Sequence, residues 1–255
     1  MRNDRGQLAL SIFLTAGFPT IKGFEDLVES VYDAGADLIE LGIPFSDPIA
    51  DGPVIQKSSH VALQNGMTLA RIIEMSQRIK TRTGKPLILM GYANSVMHYG
   101  IERFIKDATT ATVDGIIIPD IPIDEDVSFW PGSFNGIDRI HLTTPTSPAE
   151  RIRSIDGKSK GFIYCVSVTG TTGAREGFDS AILKNLERTY RLIKNNKMLV
   201  GFGISGKDSV RELKPYCDGV IVGSAVIRRL LKDTTRHTET LDLVRELRYA
   251  CDTSE

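Results

Sequence analysis

Two acidic residues in the first quarter of the chain have the surroundings expected of acid–base catalysts. Glu40 lies within the apolar run DLIELGI at 37–43, where an unpaired carboxylate is costly and therefore rare. Asp51 follows eleven residues later, after a loop that Pro44 and Pro48 make stiff. Carboxylates held in such places have shifted pKa values and can exchange protons with a bound molecule. The pattern predicts acid–base chemistry at the end of a strand.

Each of these carboxylates also has a purely structural interpretation. Backbone donors could satisfy Glu40, and the pairs Asp47-Pro48 and Asp51-Gly52 are typical of turns. The combination of a strand-end carboxylate and a stiff acidic loop favours the catalytic interpretation. Strand alternation also puts Glu40 on the same face as Leu38, which we predict to be the interior of a barrel near its carboxyl-terminal mouth.

Three glycine-containing segments near the end of the chain predict a phosphate site. GTTG at 170–173, GFGISG at 201–206 and GS at 223–224 each follow an apolar run. Glycine lets backbone N–H groups approach an anion closely, and the start of a following helix adds its positive dipole. The run at 201–206 also fits GxGxxG, but it is not on a first strand and has no acidic partner, which argues against dinucleotide binding.

Eight short apolar runs separated by helix-like or loop-like stretches must position these groups. Several are nearly continuous in Val, Ile and Leu, which is typical of strands covered on both faces in a parallel sheet. Eight such units predict one (β/α)8 TIM barrel over residues 1–255, with the phosphate site in the loops after strands 7 and 8. An open doubly wound sheet is the alternative. The predicted strands are 8–16, 37–43, 86–92, 115–120, 139–144, 161–168, 198–204 and 219–224.

The stretches between the runs supply the crossovers. Amphipathic patterns predict helices at 23–34, 69–80 and 180–194, and Gly35 and Gly84 follow the first two as expected of helix caps. The fourth crossover, at 122–137, contains Trp-Pro-Gly and predicts only a short or distorted helix.

Composition excludes several classes of function. The formal net charge is −1, which offers no electrostatic footprint for nucleic acid or for a membrane surface. Three separated cysteines and four histidines without ligand spacing predict no disulfide framework and no metal site. Residues 1–16 loosely resemble a signal peptide, but a buried first strand is the better interpretation. We therefore expect a cytoplasmic protein.

Eight stretches resemble one known family, the alpha subunit of tryptophan synthase. ELGIPFSDPIADGPVIQ at 40–56 is similar to that family's signature almost position for position. Similar matches extend over nearly the whole chain. They are FLTAGFPT (13–20), GYANSVMHYG (91–100), DGIIIPDIP (114–122), TPTSPAERI (144–152), YCVSVTGTTGAR (164–175), GFGIS (201–205) and DGVIVGSAVI (218–227).

The resemblance implies a lyase that cleaves indole-3-glycerol phosphate to indole and glyceraldehyde 3-phosphate. It implies that Glu40 is the general acid/base and that Asp51 accepts the indole N–H and stabilises the developing cation. It also implies that Thr172 begins a mobile lid that closes over Asp51. The implied substrate contacts are Phe13, Tyr164, Thr172, Gly173, Phe202, Gly203, Gly223 and Ser224.

The resemblance further implies a partner. Asp47 would face a beta subunit that carries pyridoxal phosphate and consumes the indole, in an alpha2beta2 complex. This chain itself would need no cofactor and no metal.

The chain departs from the usual pattern of the family at several places. Phe18 stands where the family usually has Asp, and Gly91 and Ser95 replace a usual Thr and Pro. About seven residues precede the first predicted strand, so the N-terminal helix of the family would be absent or very short. Three alternatives therefore stay open. They are a free-standing lyase, a catalytically weak chain that activates a beta subunit, and another phosphate-handling barrel such as a sugar-phosphate epimerase.

Overall fold

The computed structural model describes residues 7–131, 136–167 and 178–253. The N-terminal segment on which the question of an extra helix depends, residues 1–6, lies outside the described residues. The strands are β1 Ala9–Thr15, β2 Leu38–Gly42, β3 Leu87–Met90, β4 Gly115–Ile117, β5 Asp138–Arg139, β6 Leu142–Thr143, β7 Phe162–Val166, β8 Lys197–Gly201 and β9 Gly219–Val222.

Helices alternate with these strands along the chain. They are α1 Phe24–Asp33, α2 Pro53–Gln64, α3 Leu69–Thr83, α4 Ala93–Tyr99, α5 Ile101–Thr110, α6 Asp126–Phe129, α7 Ala149–Lys158, α8 Ser180–Leu192, α9 Lys207–Leu213, α10 Ser224–Leu230 and α11 Thr238–Asp252, with a 3-10 turn at Lys214–Tyr216. The predicted α1, α3 and α8 agree with the structure to within a few residues. Gly84 ends α3 at φ 62°, and the fourth crossover contains only the four-residue helix α6, as predicted.

The sheet closes into a barrel through its fifth strand. All strand pairs are parallel, in the order β5-β4-β3-β2-β1-β9-β8-β7-β6. The two edge segments, β5 and β6, are halves of one run. The Ile140 N–H donates to Ile116 O at 3.0 Å, whereas His141 O accepts from the Tyr164 N–H at 3.1 Å. The first half of this run therefore bonds to β4 and the second half to β7, which closes the sheet. The predicted (β/α)8 barrel is confirmed.

The barrel interior is apolar except near its carboxyl-terminal end. Its core cluster takes side chains from successive strands, including Leu38, Ile88, Tyr164 and Ile221. A larger cluster fills the space between the strands and the helices. Glu40 lies two residues beyond Leu38 in β2 and faces the interior with it, as alternation predicts.

Three aspartates join neighbouring strands at the opposite, amino-terminal end. Each directly precedes a strand, and each carboxylate accepts a hydrogen bond from a backbone N–H at the start of the adjacent strand. The pairs are Asp37 with Leu10 (2.8 Å), Asp114 with Leu87 (2.7 Å) and Asp218 with Met198 (3.0 Å). These bonds satisfy N–H groups where a strand begins.

Among the described helices, none is long and apolar enough to cross a bilayer.

Candidate active site

Glu40 is a fully buried carboxylate in the middle of β2. It pairs in register with Phe13 of β1 and Ile88 of β3, and it has 0% exposed surface. The Ser11 hydroxyl donates to Oε1 at 2.8 Å, while Oε2 has no hydrogen-bond partner among the described residues. Burial raises the pKa of Glu40 to about 8, and the Ser11 hydrogen bond opposes that rise. At neutral pH this side chain is an acid that still holds its proton.

Asp51 stands at the end of the loop that follows β2. Gly52 and Pro53 begin α2 immediately after it, so the start of this helix holds the aspartate at the mouth of the barrel. Burial raises the pKa of Asp51 to about 6, and a hydrogen bond from Tyr92 opposes that rise. Asp51 therefore ionises close to neutral pH, below Glu40. Two carboxylates with separated pKa values are suited to different roles in one reaction.

An open pocket lies at the same end of the barrel, with an empty volume of about 710 Å³ that includes its entrance. Its wall contains the predicted catalytic residue Asp51 and most of the substrate contacts predicted from the sequence. They are Phe13, Asp51, Tyr164, Phe202, Gly203, Gly223 and Ser224. The predicted lid residues Thr172 and Gly173 lie outside the described residues.

Tyr164 interacts electrostatically with both carboxylates. Burial raises the pKa of its phenol well above the ordinary value, and the negative charges of Glu40 and Asp51 raise it further. Both carboxylates thus lie within electrostatic range of one phenol. The structure brings Glu40 and Asp51 to the same end of the barrel, although Glu40 adds no exposed surface to the pocket wall.

Glycines let aromatic rings enter this end of the barrel. A Cβ atom on Gly201 would lie 2.3 Å from the Tyr164 hydroxyl oxygen, and one on Gly42 would lie 2.3 Å from the Phe13 ring. Both distances are far below contact, so only glycine leaves room for the two rings. Beyond Gly201, Phe202 and Gly203 have φ values of 73° and 76°. This turn directs the backbone after β8 along the pocket wall.

The departures from the family pattern have identifiable surroundings. Phe18 is 2% exposed and packs in the apolar cluster between the strands and the helices. At Gly91, an added Cβ would lie 2.8 Å from the Ile43 side chain, so glycine permits close packing of β3 against the end of β2. The Ser95 N–H donates to Tyr92 O at 3.1 Å in the first turn of α4.

Asp47 lies on the exposed part of the loop that ends at Asp51. The neighbouring Ile49 is 81% exposed. A large apolar side chain exposed beside the mouth is the kind of feature that a partner surface covers.

Sequence reasoning missed several residues at this site, among them Ser11, Arg228 and Tyr92. Arg228 lies on the pocket wall, and its position four residues after Ser224 on α10 could have revealed it, because such residues share a helix face. Tyr92 donates a hydrogen bond to Asp51 from the end of the third predicted strand.

Within the described ranges, no three His, Cys, Asp or Glu side chains are grouped so as to hold a metal ion.

The fold and the site together define a (β/α)8 barrel with two acidic groups at its mouth, an arrangement suited to acid–base catalysis. The sequence model of the family described as tryptophan synthase alpha chain matches residues 1–253. The chain belongs to this family.

Individual relatives agree with that assignment. The tryptophan synthase alpha chain of Caldanaerobacter subterraneus is 45% identical over 246 residues, covering 94% of this chain and 91% of the relative. That of Geobacter sulfurreducens is 44% identical over 221 residues, covering 86% and 83%.

Solved structures of the family have the same fold. The tryptophan synthase A-subunit of Pyrococcus furiosus superposes with a TM-score of 0.82 at 35% identity, covering 95% of this chain and 97% of that one. Tryptophan synthase subunit alpha of Legionella pneumophila gives a TM-score of 0.84 at 31% identity, covering 96% and 93%.

Proposed function

We propose that this chain cleaves indole-3-glycerol phosphate to indole and glyceraldehyde 3-phosphate by means of Glu40 and Asp51. The observation that carries the proposal is that Glu40 and Asp51 lie at the same end of the barrel, both within electrostatic range of Tyr164, beside a pocket that also contains glycine-rich turns. Membership in the tryptophan synthase alpha chain family supports the same reaction.

The reaction needs one proton delivered and one removed. Indole C3 takes up a proton, the bond from C3 to the glycerol carbon breaks, and its electrons return to the indole ring. The hydroxyl on that carbon loses its proton and becomes the aldehyde carbonyl. A buried acid with a pKa of about 8 is suited to exchange protons near neutral pH, so Glu40 takes the role of general acid/base.

Asp51 takes the electrostatic role. Protonation of C3 leaves positive charge on the indole nitrogen, and an ionised carboxylate that accepts the indole N–H stabilises this cation. Asp51 lies on the pocket wall and has the lower pKa of the two carboxylates. Phe13 and Phe202 supply apolar wall against which an indole ring can pack.

The phosphate takes the glycine-rich side of the pocket. Gly203, Gly223 and Ser224 follow β8 and β9, where (β/α)8 barrels frequently bind phosphate. Thr172 and Gly173 complete the enclosure in this proposal as the beginning of a lid. Closure of that lid would exclude water from the reacting groups.

The partner in this proposal is a tryptophan synthase beta subunit in an alpha2beta2 complex. Exposed Asp47 and Ile49 on the loop after β2 form the contact. The beta subunit carries pyridoxal phosphate and consumes the indole, and this chain needs no cofactor of its own. A contact on the loop that ends at Asp51 would also couple partner binding to catalysis.

The test is to mix the purified chain with indole-3-glycerol phosphate, with and without a beta subunit, and to measure indole and glyceraldehyde 3-phosphate. We expect equal amounts of the two products and faster turnover when the beta subunit is present. Equal rates with and without the partner would favour a free-standing lyase. Activation of the beta subunit without any indole would favour the regulatory alternative and refute the catalytic proposal.

A further inference from the structure

Tyr92 makes contacts at the mouth that neither the sequence pattern nor the reaction assigns to a purpose. It lies two residues after β3, immediately before α4, and is 5% exposed. Its hydroxyl donates to Asp51 Oδ2 at 3.0 Å and accepts from the Ala50 N–H at 3.1 Å. One phenol therefore holds both the carboxylate and the backbone of the loop that carries it.

The phenol contacts Asp51 from outside the pocket. Asp51 lies on the pocket wall, but Tyr92 does not. The bond to Tyr92 engages Oδ2, which leaves Oδ1 for a molecule in the pocket. The described residues give Asp51 no other side-chain donor.

Contacts on the Tyr92 ring and on the backbone beside it hold this residue in place. Its ring stacks on Phe45, with 5.3 Å between ring centroids and 28° between planes. Asp120, after β4, accepts the N–H of the next residue, Ala93, at 3.0 Å. The loop, by contrast, is exposed at 46, 47, 49 and 50. The phenol thus ties an exposed loop to the end of a buried strand.

We propose that Tyr92 is a positioning residue for the reaction, which fixes the Asp51 carboxylate towards the pocket and keeps it ionised there. This inference rests on the proposed role of Asp51. A hydrogen bond donated to the charged form of a carboxylate favours that form, and the Tyr92 bond opposes the effect of burial on the pKa of Asp51. Among the described titratable groups, Tyr164 also interacts electrostatically with Asp51, Asp120 interacts with Tyr92, and Arg228 shares the pocket wall with Asp51.

The direct test substitutes Tyr92→Phe, which removes the hydroxyl and keeps the stacking ring. We expect kcat for indole formation to fall roughly 10- to 100-fold, because a misplaced reacting group is costly, while KM changes less. The acid limb of the kcat profile should move upward by about 0.5–1 pH unit, the equivalent of one ordinary hydrogen bond. Tyr99→Phe is the matched control. Its phenol donates to Asp107 at 2.7 Å outside the pocket, so that variant should keep both kcat and the profile.

A readout that needs no substrate separates this inference from the proposed function. The pKa of Asp51, followed by the carbon-13 shift of its carboxyl group, should rise in the Tyr92→Phe chain and stay unchanged in the Tyr99→Phe chain. If the wild-type chain forms no indole but this rise is seen, the reaction is wrong while Tyr92 still controls Asp51. An unchanged Asp51 pKa in a folded Tyr92→Phe chain overturns the inference, as does a loss of kcat with no movement of the acid limb.

Discussion

Carboxylates at the two ends of this barrel have opposite surroundings. At the amino-terminal end, Asp37, Asp114 and Asp218 accept backbone N–H groups of adjacent strands and pair with cations at 2.7–3.7 Å. At the mouth, within the described part of the chain, one oxygen of Glu40 has no hydrogen-bond partner and the Asp51 carboxylate accepts from a single phenol, that of Tyr92. A carboxylate whose oxygens are fully hydrogen-bonded stabilises the fold, whereas a buried carboxylate with few hydrogen bonds is available to exchange protons with a substrate.

The separation follows from the geometry of parallel strands. Every strand begins at one end and finishes at the other, so strand-starting N–H groups gather at one end and the variable loops at the other. At the mouth, burial raises the pKa values of Glu40 and Asp51, and one side-chain hydrogen bond to each only partly opposes that rise. If this comparison is right, substitutions at the mouth change the reaction and substitutions at the other end change stability.

The largest expected effect is on turnover in Glu40→Gln. Loss of the acid/base group should lower kcat by about 10³-fold or more, in line with the upper range for general acid–base catalysis. Indole release followed spectroscopically measures this, with circular dichroism as the control for folding. Near-normal turnover in the folded variant would remove Glu40 from the reaction.

Asp51→Asn comes next. A neutral amide cannot stabilise the indole cation, and kcat should fall by roughly 10²-fold. In the wild-type chain the same reasoning gives an acid limb near pH 6, because protonation of Asp51 below its pKa removes the stabilising charge. The pH profile of kcat measures both effects. An acid limb that persists unchanged in Asp51→Asn would assign it to another group.

The presence of Glu40 should also make the free energy of unfolding of the chain decrease as pH rises. Its folded pKa, about 8, exceeds the ordinary value of 4.5, so the folded chain holds more protons between these values and loses stability as pH increases through them. Glu40→Gln lacks this penalty. Relative to the wild type, its free energy of unfolding should rise by an amount that grows from pH 4.5 to 8 and reaches at most about 5 kcal/mol. Urea titrations across this window measure the difference, and a constant difference would contradict the buried-acid interpretation.

At the amino-terminal end, Asp218→Ala should lower the free energy of unfolding by about 2–3 kcal/mol, because it leaves the Met198 N–H buried and unpaired. Turnover below the melting temperature should be retained, since the residue is at the opposite end from the pocket. The control is Asp208→Ala. The Asp208 side chain is 87% exposed, so its loss should cost less than about 0.5 kcal/mol. A large loss of kcat in folded Asp218→Ala would break the separation of the two ends.

Local pattern was sufficient for much of the fold. The apolar runs predicted the barrel strands, and the Trp-Pro-Gly sequence predicted the short fourth helix, because burial on both faces and proline geometry act over a few residues. The division of the fifth strand into β5 and β6 was not predicted. It depends on which neighbour accepts each hydrogen bond, and that choice is made only when the sheet closes.

For the site, the sequence by itself determined the two carboxylates and the glycine turns, because the cost of a buried charge and the steric freedom of glycine are properties of residue type and local pattern. The tertiary structure alone decided what surrounds them. The Ser11 bond to Glu40 spans 29 positions and the Tyr92 bond to Asp51 spans 41. No local spacing encodes such contacts, since they form only when β1, β2 and β3 align in register and bring distant side chains to one end of the barrel.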